Sequence, residues 1–299
     1  MSEMSMIEAK KGKLTDYICK RANASGFSDE LIQKLHLKFP ESYCNAQIMA
    51  HIAKEISMAE QSSICVLPFC HTVEAEAMGG NILLTDGKFG PRTKEYAYQS
   101  IEELLELPDI DFSKGRIRAV LDAGRILHEN GQKAALEISG LFTILNALID
   151  TAKVFKAWRK NAVLVEQIMA KLSENLYAFF AEAKKAGFSI ISYADPAGSV
   201  SIVGPKFAEM AARQFTYPLL KRVQELADED CIIHLCPKTT LTLLELDLAK
   251  REYVQFVPGS NFVQACLKAV GQEKIIGQAC IKNANCVLRH GKLWALQLV

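Results

Sequence analysis

Two side chains two residues apart, His234 and Cys236, close a short apolar run, Cys231-Ile232-Ile233-His234-Leu235-Cys236, and a proline follows. In an extended strand, residues i and i+2 point the same way, so the imidazole and the thiol share one face. Both are zinc donors, and a catalytic zinc needs three protein ligands with one position left open. Such a zinc holds a bound thiol as thiolate, although a free thiol has a pKa near about 8.5. The other reading is a core histidine beside an inert buried cysteine, because His-x-Cys lacks the specificity of paired Cys-x-x-Cys spacing. A third ligand would come from another strand end. Cys280 and Cys286 follow the last apolar run; Cys70 and His71 follow the first.

Carboxylates are the second group. Asp195 stands at the end of a run and before Pro196. It could orient a ligand or do acid–base work, or it could cap the segment that follows. Glu74 and Glu76 lie two apart in His71-Thr72-Val73-Glu74-Ala75-Glu76-Ala77-Met78-Gly79. On a helix that spacing keeps them from facing one site together, so at least one is solvated or paired.

These residues sit at the ends of six short apolar runs: 63–67, 134–139, 188–193, 231–236, 253–257 and 274–277. Amphipathic stretches at 100–106, 114–129, 163–186 and 205–227 lie between most of them. Buried strands alternating with helices predict an α/β fold with a parallel sheet, either doubly wound or most of a (β/α)8 barrel. Both architectures build chemistry at the C-terminal ends of their strands. Residues 1–60 read as a helical N-terminal segment, with Leu14 and Ile18, Leu31 and Leu35, then Ile48, Ile52 and Ile56 at four-residue spacing. Ser28 is the predicted N-cap of one of these helices. Residues 61–299 are expected to form the sheet-and-helix part, whichever of the two architectures it takes, and the two parts together make one domain. The polar excursion 81–92 reads as a loop or hairpin on the rim. No Gly-rich phosphate loop and no internal repeat is present.

The composition, 49% hydrophobic and 23% charged over 299 residues, is that of a globular chain able to bury a sizeable core. A net charge of +1 offers no basic field for nucleic acid. The longest apolar-rich stretch, 138–149, is too short to span a bilayer, and residues 1–13 contain no apolar signal core. The expectation is a cytoplasmic protein without membrane attachment. Nine cysteines, an odd number in a long chain, are expected to be mostly reduced.

The motifs also resemble a known family. Phe39-Pro40-Glu41, Met49-Ala50 and Leu67-Pro68-Phe69-Cys70-His71-Thr72-Val73-Glu74-Ala75-Glu76-Ala77-Met78-Gly79 resemble the uroporphyrinogen decarboxylase superfamily, and within it the methylcobamide:coenzyme M methyltransferases. Ser139-Gly140-Leu141-Phe142-Thr143 is similar to their Gly-Pro-Phe-Thr turn, with Leu141 in the proline position. Ser192-Tyr193-Ala194-Asp195-Pro196-Ala197-Gly198 is similar to one of their strand ends, and Ile233-His234-Leu235-Cys236 to their zinc-binding strand.

The resemblance implies a (β/α)8 TIM barrel, possibly incomplete at its first and last strands. It implies zinc at the barrel mouth on His234, Cys236 and Cys280, with Asp195 as a catalytic residue. Phe69, His71, Glu74 and Thr143 would bind substrate. The implied reaction moves a methyl group from a methylated corrinoid, carried by a partner protein, to a small thiol such as coenzyme M. A homodimer is a further possibility, since barrel closure needs help from the termini or a second subunit. Alternatives are a non-catalytic barrel that binds a corrinoid protein or tetrapyrrole, and a decarboxylase. The decarboxylase branch's N-terminal Arg-containing motif is not in the chain.

Two departures from the family pattern stand out. The family's first strand has no counterpart in residues 1–60. In one alignment the chain also stops before the eighth strand, which carries the third zinc cysteine. In another, Ile276-Gly277-Gln278-Ala279-Cys280 is that strand and Cys280 is the ligand. Residues 293–299 could pair as a makeshift last strand.

Overall fold

The computed structural model describes residues 14–17, 19, 26–84 and 87–299. Helices α1 (Asp29–Leu35) and α2 (Ala46–Ala59) precede strand β1 (Cys65–Leu67). A short helix α3 (Val73–Ala77) and a hairpin of β2 (Asn81–Leu83) and β3 (Arg92–Glu95) follow. Helix α4 (Gly115–Glu129) leads to β4 (Ala134–Ser139), and α5 (Leu141–Leu148), α6 (Thr151–Lys160) and α7 (Ala162–Lys185) lead to β5 (Ile190–Ala194). Helices α8 (Val200–Val203), α9 (Pro205–Ala211) and α10 (Tyr217–Val223) lead to β6 (Ile232–Leu235). The chain ends with α11 (Pro237–Glu245), β7 (Ala249–Gln255), β8 (Ser260–Asn261), α12 (Phe262–Ala269), β9 (Ile275–Ile276), β10 (Val287–Leu288) and β11 (Lys292–Leu298).

Local chemistry sets the helix starts. Ser28, Asn45 and Asn161 each accept a hydrogen bond from the backbone N–H three residues on, satisfying a donor that the first turn leaves free. The expected cap at Ser28 and the long helices over 114–129 and 163–186 are found within a residue or so. Residues 14–17 are not helical, and Ile18 lies outside the described residues.

The main sheet has the order β1-β4-β5-β6-β9-β11-β7. Neighbours from β1 through β9 pair in parallel. Period-two alternation divides these strands between two cores. Leu136, Ile138, Ile191, Tyr193, Ile233 and Leu235 face the helices α4, α5, α7 and α10. Ala135, Ile190, Ile232 and Ile276 face the other way, against Phe262, Val263 and Ala265 of α12 and Leu293 of β11. Burial on both faces explains why β4, β5 and β6 read as unbroken apolar runs.

The last third departs from the simple parallel expectation. β11 pairs antiparallel with β7 along seven residue pairs, and with β9 through Ala295 and Ile276. β7 spans 249–255 rather than 253–257, and most of its side chains are exposed. Its Lys-Arg-Glu-Tyr stretch cannot be buried on both faces, so it forms an outer ribbon rather than an inner parallel strand. The C-terminal residues 292–298 do act as a last strand, against that ribbon. Among the described residues the two edge strands, β1 and β7, do not pair with each other. The fold is therefore α/β with a mostly parallel central sheet, and α12 and β11 cover the inner face. The rim hairpin expected over 81–92 is β2–β3. No described helix is long and apolar enough to cross a membrane.

Candidate functional site

Register builds a polar layer on the inner face. Glu137 of β4 pairs with Ser192 of β5, and Ser192 with His234 of β6. These three sit one step above the apolar floor of Ala135, Ile190 and Ile232, toward the C-terminal strand ends.

His234 is 1% exposed and both its ring nitrogens are engaged. Nε2 lies 2.9 Å from the Ala279 carbonyl oxygen, which only accepts, so Nε2 carries the proton. Nδ1 then accepts from the Ser192 hydroxyl at 2.8 Å. Burial pushes the ring's pKa down to about 4, so it is neutral at pH 7.

Glu137 holds the layer's charge. Lys282 Nζ donates to its Oε1 at 2.6 Å, and His71 Nε2 lies 3.2 Å from the same oxygen. Burial alone would raise this carboxyl, but the Lys282 ammonium beside it outweighs that and holds it below the usual range. Lys282 moves the opposite way. Burial pulls it down and Glu137 more than restores it, leaving a firmly charged ammonium. Burial lowers His71 despite Glu137, so its imidazole is neutral at pH 7. Its Nδ1 is shielded from solvent and has no hydrogen-bond partner.

Cys236 N-caps α11 and is half-buried, with its thiol pushed up to about 12 chiefly by burial. Cys280, also half-buried, is pushed up to about 11 for the same reason. Each feels Glu137 and also Cys19, so the N-terminal stretch approaches the same place. Cys286 is buried within the inner core.

Zinc on His234, Cys236 and Cys280 fails a test of fit. The imidazole has no free lone pair, because one nitrogen carries a proton and the other is taken by Ser192. Among the described residues no group of three or more His, Cys, Asp or Glu side chains is arranged to hold a metal ion.

Asp195, expected as a catalytic residue, is tied to the start of α5. Its carboxylate accepts from the backbone N–H of Phe142 at 3.1 Å and of Thr143 at 2.8 Å, and from the Thr143 hydroxyl at 2.7 Å. Phe142 and Thr143 are in the first turn of α5, whose own N-cap, Gly140, has no side chain to offer. Asp195 thus caps the helix from the neighbouring strand end. Gly140 permits this: a Cβ there would stand 2.3 Å from Asp195 Cβ and 2.7 Å from the Tyr193 hydroxyl. The cavity beside Asp195 measures about 30 Å³. That is room for a water, not a substrate. Thr143 spends its hydroxyl on Asp195 and accepts from Ala197 N at 3.2 Å.

Glu74 is likewise taken. It is 1% exposed, and Ser139 donates to it from its backbone N–H at 2.7 Å and its hydroxyl at 3.0 Å, tying β1's exit to β4's. Glu76 pairs with Arg116. The expectation that these two carboxylates do not share a site therefore holds. Arg116 also reaches Cys70 Sγ at 3.4 Å and Thr72 Oγ1 at 2.9 Å. Phe69 packs edge-on against Phe27 at 5.0 Å.

The structure therefore brings His71 and Lys282 to the Glu137 carboxylate, with His234, Cys236 and Cys280 each within its electrostatic reach, and finds Asp195, Thr143, Glu74 and Phe69 engaged in hydrogen bonds or packing. Sequence reasoning missed Glu137, Ser192 and Lys282. Glu137 carried a signal: a charge inside an otherwise apolar six-residue strand must be paired. Lys282 carried none, because only the turn after β9 brings it to Glu137.

Comparison with known proteins agrees with this architecture. A family model described as uroporphyrinogen decarboxylase matches residues 4–276. The methylcobamide:CoM methyltransferase MtaA of Methanosarcina barkeri is 27% identical over 256 residues, covering 82% of this chain and 74% of that protein. The methylcobamide:CoM methyltransferase MtbA of Methanosarcina acetivorans is 26% identical over 218 residues, covering 70% of this chain and 62% of that protein. A solved structure of a methyltransferase from Methanosarcina mazei aligns with a TM-score of 0.62 at 24% identity, over 73% of this chain and 64% of that one. It shows likeness of fold. The chain spans about three-quarters of the first relative and under two-thirds of the second and of the solved chain.

Proposed function

The chain belongs to the uroporphyrinogen decarboxylase family, and from that premise we propose that it is a methyltransferase moving a methyl group from a methylated corrinoid to a small thiol. The observation that carries the reading is the polar layer itself. Glu137, His71 and Lys282 gather above the apolar floor where β4, β5 and β6 end, beside the half-buried thiols of Cys236 and Cys280. Strand ends of parallel sheets are where such folds bind ligands. The two curated relatives, both named as methylcobamide:CoM methyltransferases, support the donor and acceptor classes. In this reading the parallel strands are an arc of the family's barrel, and a corrinoid carried by a partner protein approaches the mouth. All nine cysteines are free, which suits a reducing cytoplasm.

The chemistry asks for a thiolate, a methyl group held in line with it, and little water. The thiolate sulfur attacks the methyl carbon, and the carbon–cobalt electron pair stays with cobalt. The chain's part is to place the thiol, remove its proton and exclude solvent.

Incubating the full chain with methylcob(III)alamin and coenzyme M, and following methyl thioether by mass spectrometry, tests the proposal. Thioether formed in proportion to demethylated corrinoid supports it. Corrinoid binding without thioether from any small thiol refutes it in favour of a binding-only role. Decarboxylation of uroporphyrinogen would point to the third possibility.

A further inference from the structure

We propose that the exposed basic face of α6 docks an acidic protein, the carrier of the methylated corrinoid, on the rim beside the strand ends. This rests on the reading of the site as a corrinoid-dependent methyltransferase.

The charge is local. The chain as a whole is nearly balanced, with 35 basic and 34 acidic residues. Residues 151–165 contain Lys153, Lys156, Arg159 and Lys160 and no Asp or Glu. The spacing of Lys156, Arg159 and Lys160 puts them on one side of the helix, and all three are exposed. Among the described residues no carboxylate pairs with any of the three. Lys153 donates to the Gln99 carbonyl oxygen at 2.6 Å. The neighbouring acids in sequence are Asp150, which is spent on the Ala152 N–H at the start of α6, and Glu166, in the second turn of α7.

Packing fixes this face at the strand ends. Phe155 and Trp158, on the other side of α6, each stack on Phe142 at 6.1 Å. Phe142 is the residue whose N–H Asp195 holds at the end of β5. Phe207 of α9 closes the cluster at 4.7 Å from Phe155, and Arg159 lies over its ring at 5.2 Å. The 24 residues of α7 make a helix about 36 Å long that ends just before β5 begins, so its start, and α6 with it, stands beyond the C-terminal side of the sheet.

The shape of the patch selects an acidic protein among polyanions. Lys153 to Lys160 spans about 10 Å along the helix, the reach of a cluster of carboxylates rather than of a long phosphate track. The apolar side of α6 is spent on the aromatic cluster, so it has no face to lay into a bilayer. Val163, 62% exposed, follows the basic residues, and Ile202 of α8 is 64% exposed, which gives the rim apolar contacts beside its charges. A donor protein has to bring its cobalt–methyl group to these strand ends, and opposite charge steers and orients that encounter.

The test uses two methyl donors with coenzyme M as acceptor. One is free methylcob(III)alamin; the other is the same corrinoid bound to a purified cobalamin-carrier domain of net negative charge. Lys156→Glu/Lys160→Glu should lower kcat/KM for the carrier-bound donor about 10–10³-fold at low salt, through KM rather than kcat. The rate with free methylcob(III)alamin should not change, which shows that the variant is folded. Added salt should slow the wild type with the carrier and leave the variant nearly flat. Equal rates with the carrier-bound donor, or an equal fall with both donors, overturn the inference. A wild type that demethylates free methylcob(III)alamin and does not engage the carrier also overturns it and leaves the proposed function standing. A wild type that transfers from neither donor overturns the proposed function. Sedimentation with the carrier then judges the surface alone: salt-sensitive binding lost in the double variant supports it, and no binding overturns it. Retention of a DNA duplex or of anionic vesicles in place of the carrier overturns it as well.

Discussion

His234 makes a prediction that tests the whole polar layer. Its imidazole is held neutral in the fold, with a pKa near about 4, while in the unfolded chain it titrates near 6.5. Between those values the unfolded chain binds more protons than the fold, so stability attached to this group is complete above pH 6.5 and drains away as pH falls toward 4. Linkage across that gap gives a loss of about 2 kcal/mol at pH 5 and about 3 kcal/mol at pH 4. The cause is physical: protonating Nδ1 puts a charge in a 1% exposed site and turns the Ser192 hydroxyl away from its acceptor. The assay is urea unfolding of the wild type and His234→Gln at pH 7, 6 and 5. Other groups, His71 included, titrate in both proteins and cancel in the difference. The wild type should lose about 2 kcal/mol more than the variant between pH 7 and pH 5. Parallel curves would show that the ring is not held neutral and would refute the hydrogen-bond assignment behind it.

Three further outcomes follow from the same geometry. Asp195→Ala strands two first-turn N–H groups and the Thr143 hydroxyl, so denaturant unfolding should show a loss of about 3–5 kcal/mol, with Asp195→Asn costing roughly half as much. Gly140→Ala forces a Cβ to within 2.3 Å of Asp195 Cβ, and should lower thermal stability by an amount equivalent to about 1–3 kcal/mol. Alkylation at pH 8 read by mass spectrometry should label exposed Cys44 well before Cys236, whose thiol is pushed up to about 12; equal labelling would contradict the assigned burial.

Much of this was legible along the chain. The runs at 134–139 and 231–236 announce strands because both faces are apolar, and the four-residue spacing of Ile48, Ile52 and Ile56 announces α2. The two-residue spacing of His234 and Cys236 also sets them on one side of a strand. Their company could not be read that way. Whether an imidazole has a free lone pair depends on Ser192 and Ala279, which lie 42 and 45 positions away. Asp195 carried two roles in the sequence, a site carboxylate or a cap for the segment after it; in the fold it bonds the first turn of α5, an earlier helix whose own cap is a glycine.

Periodicity along the chain thus marked the buried parallel strands and the longer helices, and which side of those strands each residue faces, because those follow from local backbone geometry. Partners were decided only by tertiary structure. β9 pairs with β6 and sends β7 to the edge, the turn after β9 carries Lys282 to Glu137, and inter-strand register aligns Glu137, Ser192 and His234. Strand pairing joins residues far apart in sequence, and whole buried surfaces select it rather than any local signal. The polar layer lies in those pairings: a His234 bonded at both nitrogens, and a Glu137 shared between Lys282 and His71.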